Sequence, residues 1–280
     1  MNGSADALAE AYNGALAHEK AGRRDEAAAL YRRCLELAPS DPCGAAMRLA
    51  SMGLGPPPDR AGDAYMATLF DQVADRFDHI LTEELGYAVP MQAAEWLKAH
   101  RPGPYDRLLD LGCGTGLSGM MLEDICVHAT GVDISEQMVD KADERAAYDE
   151  LYINEAVHFL EEWAKSADPA HAPFDLIVAT DVLPYFGPLE PLFDGIAANA
   201  TAKCRLVVSA ETLPKLASAD ADWSVTPHQR FAHSAAYLEA MCARTGFAEI
   251  ELCQPITVRH EEGAPIPGFL VIAARGQLGR

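Results

Sequence analysis

Leu108 to Gly119 reads LLDLGCGTGLSG and Gly131 to Ala142 reads GVDISEQMVDKA, and these two stretches carry the architecture. In the first, an apolar run ends in Asp110 and passes at once into Gly112, Gly114 and Gly116, which describes a buried strand turning abruptly into a helix. Glycines at such a turn let the backbone approach a ligand closely. In the second, another apolar strand ends in Asp133, where a carboxylate can accept both hydroxyls of a ribose. Together they predict a nucleoside site at the carboxyl ends of neighbouring parallel strands.

Nicotinamide cofactors use the same architecture, but their fingerprint is G-x-G-x-x-G, whereas this loop is D-x-G-C-G-T-G. Asp110 would repel a pyrophosphate and favour an ammonium or sulfonium group, so the loop predicts a cationic ligand. On these motifs the chain resembles the class I S-adenosylmethionine-dependent methyltransferases; QRFAHSAAY at 229–237, with the helical start, TLFDQVADRFD at 68–78 and the closing hairpin, resembles more narrowly a bacterial subgroup with a tetratricopeptide-like start. The resemblance implies an α/β, Rossmann-like seven-stranded sheet whose last strand is antiparallel, preceded by a helical repeat and lid helices. It also implies S-adenosylmethionine as cofactor and S-adenosylhomocysteine as product.

Composition sets the outer limits. At 280 residues and 49% hydrophobic, the chain can bury one substantial core plus a small accessory unit. No apolar run approaches the roughly 20 residues that span a bilayer, and the N-terminus lacks a basic stretch followed by an apolar one, so neither membrane insertion nor a secretory signal is expected. Seven scattered cysteines without a C-x-x-C pair read as reduced cytoplasmic thiols, with neither a disulfide frame nor a metal site. The net charge of −20 repels nucleic acid phosphates, which excludes DNA and RNA as expected partners.

Three segments are expected: residues 1–55, a tetratricopeptide-like helical segment; 59–104, a helical lid and connection; and 105–280, the methyltransferase domain. Within the first, Gly22, Ala27, Tyr31, Leu35 and Pro39 fall at the offsets of one helix-turn-helix repeat. Since such repeats need about three copies to fold alone, this one is expected to pack on the neighbouring domain, on a second subunit or on a protein partner. GLGPPPDRAG at 53–62 reads as a linker. Tyr65, Leu69, Phe70, Val73, Phe77, Ile80 and Leu81 then recur at three- and four-residue steps, an amphipathic helix pair in which Phe70 to Asp78 resembles a family lid.

From Tyr105 onward strands and helices alternate, with strands ending near Leu111, Val132, Ile153, Thr180 and Ser209 and a closing hairpin built from 249–253 and 269–273. Residues 200–204, where the family has a glycine turn, are read as a turn of another kind, and 260–268 as the hairpin connection. Candidate residues follow each strand. Asp110, Gly112, Gly114, Gly116, Asp133, Ile134 and Met138 are expected to hold the cofactor, with Asp181 at its methyl end and Tyr65 covering it from the lid; the family resemblance implies that Glu155 and Ala156 recognise its adenine. Glu155 is alternatively a helix-start acid. Arg230, His233 and Tyr237 are the substrate-side candidates, and His233 and Tyr185 the candidate bases. The functional expectation is in-line methyl transfer to a small molecule; a protein methyltransferase and a non-enzymatic cofactor-binding adaptor are the alternatives.

Overall fold

The computed structural model describes residues 2–214, 218 and 221–276, with side chains from residue 5 onward. It opens with three helices, α1 (Asn2–Lys20), α2 (Arg24–Leu37) and α3 (Ala45–Ser51). Small residues set how closely they pack. Ala11, Ala15, Ala27, Ala28 and Ala45 are buried around Tyr31, which has no exposed surface. The Tyr31 hydroxyl donates to Glu19, which also pairs with Arg48 at 3.0 Å. The Arg48 guanidinium in turn lies 5.8 and 5.9 Å from the ring centroids of Tyr12 and Tyr31, so one cation closes the unit from above.

The segment expected to be a linker is pinned. Ala61 N–H donates to the Tyr185 carbonyl at 2.9 Å, and Gly187 N–H to the Asp59 carbonyl at 2.8 Å. The prolines at 56–58 prevent a helix, as expected, but the backbone after them pairs with 185–187. The following amphipathic stretch forms α4 (Asp63–Asp71), a 3₁₀ turn at Ala74–Arg76 and a π-helical turn at His79–Glu84, and then leads into α5 (Val89–His100).

The α/β region runs β1 (Tyr105–Leu111), α6 (Leu117–Leu122), β2 (Cys126–Asp133), α7 (Glu136–Arg145), β3 (Glu150–Ile153), α8 (Ala156–Lys165), β4 (Phe174–Ala179), α9 (Glu190–Ala198) and β5 (Ala200–Thr212). Then come β6 (Trp223–Val225), β7 (Phe231–His233), α10 (Ala235–Arg244), β8 (Glu249–Glu261) and β9 (Ala264–Ala274). Strands β3, β2, β1, β4 and β5 pair in parallel in that order, and β9 joins β5 antiparallel with β8 outside it. Among the described residues the sheet has nine strands where seven were expected; the additional two are the short β6–β7 hairpin, of which β7 pairs with the last two residues of β5, Glu211 and Thr212.

Alternation along the strands divides the core. Leu109, Leu111, Ile177, Ala179, Leu206 and Val208 face one side with α8, α9 and α10; Leu108, Leu176, Val178 and Val207 face the other with α5. Each fully buried leucine or valine contributes about 1.5–3 kcal/mol relative to exposure. Two readings of the sequence need correction here. Residues 200–204 are the first residues of β5 rather than a turn, and residues 260–268 are mostly strand, because the β8–β9 hairpin turns tightly at Glu262–Gly263, both in the left-handed region with φ of 50° and 78°.

His233 and Tyr237 also belong to this core. His233 ends β7 without exposed surface, and its Nε2–H donates to the Gly187 carbonyl at 3.0 Å; Tyr237 donates to Glu190 and accepts from Leu189 N–H. No helix among the described residues is long and apolar enough to cross a membrane.

Two stability tests follow. A Cβ at Gly268 would stand 2.3 Å from the Ala210 carbonyl oxygen, so Gly268→Ala is expected to cost about 1–3 kcal/mol by urea unfolding, through strain between β5 and β9. Burial lowers the His233 pKa from its usual 6.5 to about 4. The unfolded chain then binds the extra proton between those values, so His233 stabilises the fold above pH 6.5 and that contribution is lost as the pH falls toward 4. Unfolding measured across that window is expected to be less pH-dependent in His233→Gln than in the unaltered protein; equal slopes would refute this.

Candidate functional site

Sheet twist and the crossing of connections leave a crevice beyond the carboxyl ends of β1, β2 and β4. The structure has a cavity there, roofed by the segment from Arg60 to Pro90. Its floor is the turn after β1. Gly112 takes a left-handed φ of 65°, and a Cβ there would come within 2.5 Å of Val182 Cγ2; Gly114 follows at φ 52° and exposes its backbone to the cavity. Gly116, the third glycine, stands back from the cavity and starts α6 at φ 92°.

Asp133 joins this turn to the next. Its Oδ2 accepts the Gly114 N–H and its Oδ1 the Ser135 N–H, both at 2.9 Å. Burial raises its pKa while those amides oppose the rise. Each oxygen retains a second lone pair, and the residue lines the cavity with Ile134 and Met138. Asn154, Glu155 and Ala156 form the neighbouring wall. Glu155 is the cap of α8, accepting from Val157 N–H at 3.1 Å and His158 N–H at 2.9 Å, which is the helix-start role. The same side chain lies 3.7 Å from Arg60, on the cavity rim.

Asp110 and Tyr65 differ from expectation. Asp110, only 1% exposed, stands behind the glycine turn rather than on the cavity surface, and Tyr148 donates to its Oδ2 at 2.6 Å. Burial pushes its pKa up to about 7, and the nearby Asp133 charge adds to this against the Tyr148 hydrogen bond. Its Oδ1 is buried without a hydrogen-bond partner. Tyr65 points away from the cavity into the N-terminal helices, where a Cβ on Gly44 would meet its ring at 2.9 Å. Periodicity placed Tyr65 on the apolar face of α4, but that face covers two surfaces, and Met66 and Phe70 are the members that reach the cavity.

At the far end, Asp181 lines the cavity with φ 60°, an unusual conformation for a non-glycine residue. Two contacts hold it: Ser209 Oγ accepts its N–H at 2.9 Å, and its carboxylate pairs with Arg230. Arg230 was expected to be available for a substrate anion. Instead it is shared among Asp181, Glu211 at 2.6 Å and the Tyr185 hydroxyl at 2.5 Å, with its guanidinium 4.8 Å from the Tyr185 ring centroid. Arg259 adds a second cation to Glu211 at 2.5 Å. Burial would raise the Glu211 pKa, but the two arginines outweigh it and hold the carboxyl below its ordinary value.

Neither expected base is suited to that role. His233 and Tyr237 lie in the core, away from the cavity. Tyr185 does line the cavity, yet burial raises its pKa and Arg230 donates into its oxygen, so it faces the space as a protonated hydrogen-bond donor. Phe70, Phe77, Leu81, Tyr87 and Phe186 complete an aromatic and apolar roof; Phe70 packs edge-on against Phe77 and Tyr185, at 6.1 and 5.6 Å between ring centroids. Tyr87 had no signal beyond hydrophobicity. No group of His, Cys, Asp and Glu side chains among the described residues is arranged to hold a metal ion.

Residues 109–206 match a family described as a methyltransferase domain. The chain is 39% identical over 80 residues to magnesium-protoporphyrin O-methyltransferase of Rhodobacter capsulatus, covering 29% of this chain and 34% of that protein. It is 33% identical over 107 residues to demethylmenaquinone methyltransferase of Symbiobacterium thermophilum, covering 34% and 39%. Those alignments thus span little more than a third of either relative. Among solved structures, magnesium protoporphyrin IX methyltransferase of Synechocystis with bound S-adenosylhomocysteine superposes with a TM-score of 0.56 at 18% identity, over 76% of this chain and 99% of that one. The 1,6-didemethyltoxoflavin-N1-methyltransferase of Burkholderia thailandensis gives 0.54 at 17% identity, over 76% and 88%. Residues 109–206 thus match a methyltransferase domain, and the α/β fold around them is one that solved methyltransferases share.

Proposed function

We propose that the protein transfers a methyl group from S-adenosylmethionine to a small-molecule acceptor. The observation that carries this reading is the pairing of an open glycine turn with a buried carboxylate, Asp133, whose spare lone pairs line the same cavity. The residues present fit the cofactor. Asp133 has acceptor capacity for ribose hydroxyls, and Gly112 and Gly114 leave room for close approach. Ile134 and Met138 would flank the base, with Glu155 and Ala156 at its edge.

When bound, the cofactor supplies a methyl group already activated on a positively charged sulfur. The protein is left with alignment and the exclusion of water. Phe70, Phe77 and Phe186 keep water out, and Asp181, fixed by Arg230 and Ser209, presents a carboxylate at the cavity wall. Tyr185 offers a hydroxyl there for an acceptor's oxygen or nitrogen. Small molecules figure in the names of the similar methyltransferases, and the aromatic lining of the cavity suits a compact, apolar acceptor.

The α1–α2 pair supports reading residues 1–55 as one tetratricopeptide-like unit. Its packing against Tyr65 supports a role as a wall of residues 59–104 more than as a groove for a protein partner or second subunit. The unpaired cysteines favour a reducing compartment, the cytoplasm.

Isotope-labelled S-adenosylmethionine incubated with the protein and a cell extract, then split into small-molecule and protein fractions, tests the reading. Label is expected in the small-molecule fraction, and Asp133→Ala is expected to reduce it by roughly 100-fold. Label confined to a protein band would refute a small-molecule acceptor, and no transfer at all would refute the activity.

A further inference from the structure

The lid carries the dipeptide Phe-Asp twice, at 70–71, where α4 ends, and at 77–78, just after the 3₁₀ turn at Ala74–Arg76. Both phenylalanines face the cavity. Both aspartates turn instead to the two loops beneath. Asp71 accepts from Ser135 Oγ at 2.6 Å and from Gln137 N–H at 3.3 Å, at the start of α7. Asp78 accepts from the Thr115 hydroxyl, inside the glycine turn, and pairs with Arg145 at the end of α7.

These contacts close a ring. From Asp71 the hydrogen bonds pass to Ser135, then through the Ser135 N–H to Asp133 Oδ1; from Asp133 Oδ2 they pass to Gly114 N–H and on, through the adjoining Thr115, to Asp78. The ring therefore runs through the carboxylate that faces the cavity, and the lid backbone between residues 71 and 78 completes it. Ser135 is committed on three sides, since its Oγ also accepts Met138 N–H at 3.1 Å as the cap of α7.

We propose that Asp71 and Asp78 are positioning residues for the cofactor: they fix the glycine turn and the Asp133 loop relative to each other while holding Phe70 and Phe77 over the cavity. The inference rests on the reading that this cavity takes S-adenosylmethionine. It explains why the lid needs two carboxylates within an already acidic chain, and it means that the lid cannot lift without loosening both loops. Ligand escape then requires breaking charge-assisted hydrogen bonds, which are the stronger kind. Asp75 is an internal control. It also reaches α7, through Lys141 at 3.1 Å, but its side chain is 90% exposed and outside the ring.

The test uses the full chain and S-adenosylhomocysteine as probe, with affinity measured by calorimetry, dissociation by displacement kinetics, and the ligand-free melting temperature recorded for each variant. Asp71→Asn and Asp78→Asn are each expected to weaken binding and speed dissociation by roughly tenfold, while Asp75→Asn leaves both unchanged. Asp78→Asn combined with Thr115→Val is expected to cost less than the product of the single effects, because both remove one contact. Thr115→Val carries the same test if Asp78→Asn does not fold. Wild-type dissociation in the Asp71 and Asp78 variants, or an equal effect from Asp75→Asn, would overturn the inference alone. Failure of the unaltered protein to bind the probe would overturn the reading of the cavity and the inference with it.

Discussion

One carboxylate ties together the loops at the carboxyl ends of β1 and β2. Asp133 accepts amide N–H groups from Gly114 and Ser135, and is 8% exposed. A buried carboxylate is costly unless its oxygens are satisfied, and here two backbone amides supply what water would have given. The arrangement demands parallel register between β1 and β2, with Leu111 opposite Val132, so that both loops emerge side by side. It demands glycine at 112 and 114, because only a left-handed backbone brings the Gly114 amide round to the carboxylate. The cavity and its lid are built outward from that contact.

The far end of the cavity is organised by the opposite strategy. There the charges are numerous and mutually consumed: Asp181, Arg230, Glu211 and Arg259 pair in a chain across the β4 end, the β6–β7 hairpin and β8. Such buried ion pairs add little net stability, since desolvation offsets attraction, but they fix geometry, and removing one member leaves its partner uncompensated. The left-handed Asp181 is held by this chain. Its carboxylate faces the cavity as a positioned group rather than a freely titrating one.

Much of this was legible in the sequence, and the exceptions have physical causes. Strands β1, β2, β4 and the interior of β5 read as near-continuous apolar runs because both faces are covered by helices. The outer halves of β8 and β9 did not, since they extend past the sheet and carry Pro255, Pro265 and Pro267, residues that otherwise argue for a loop. Strands of three residues, β6 and β7, are too short for any period to show. For the same reason His233 read as a helix-start base, whereas pairing with β5 and β6 buries it completely. Glycine and acid positions after β1 and β2 were readable because backbone geometry restricts them. The partners of Arg230 were not, because Glu211 and Asp181 lie 19 and 49 residues away in sequence. The aspartates of the lid were visible only as spacing, and their partners Ser135 and Thr115 come from loops that nothing in their own composition links to the lid.

The central claim is that the glycine turn, the Asp133 loop and the lid form one cofactor site. Hydrogen–deuterium exchange of the full chain with and without S-adenosylhomocysteine tests it most directly. The account predicts that ligand slows exchange together at 112–116, at 133–138 and across 63–85. Protection of the two loops with no change in the lid, or protection elsewhere in the chain alone, would contradict it.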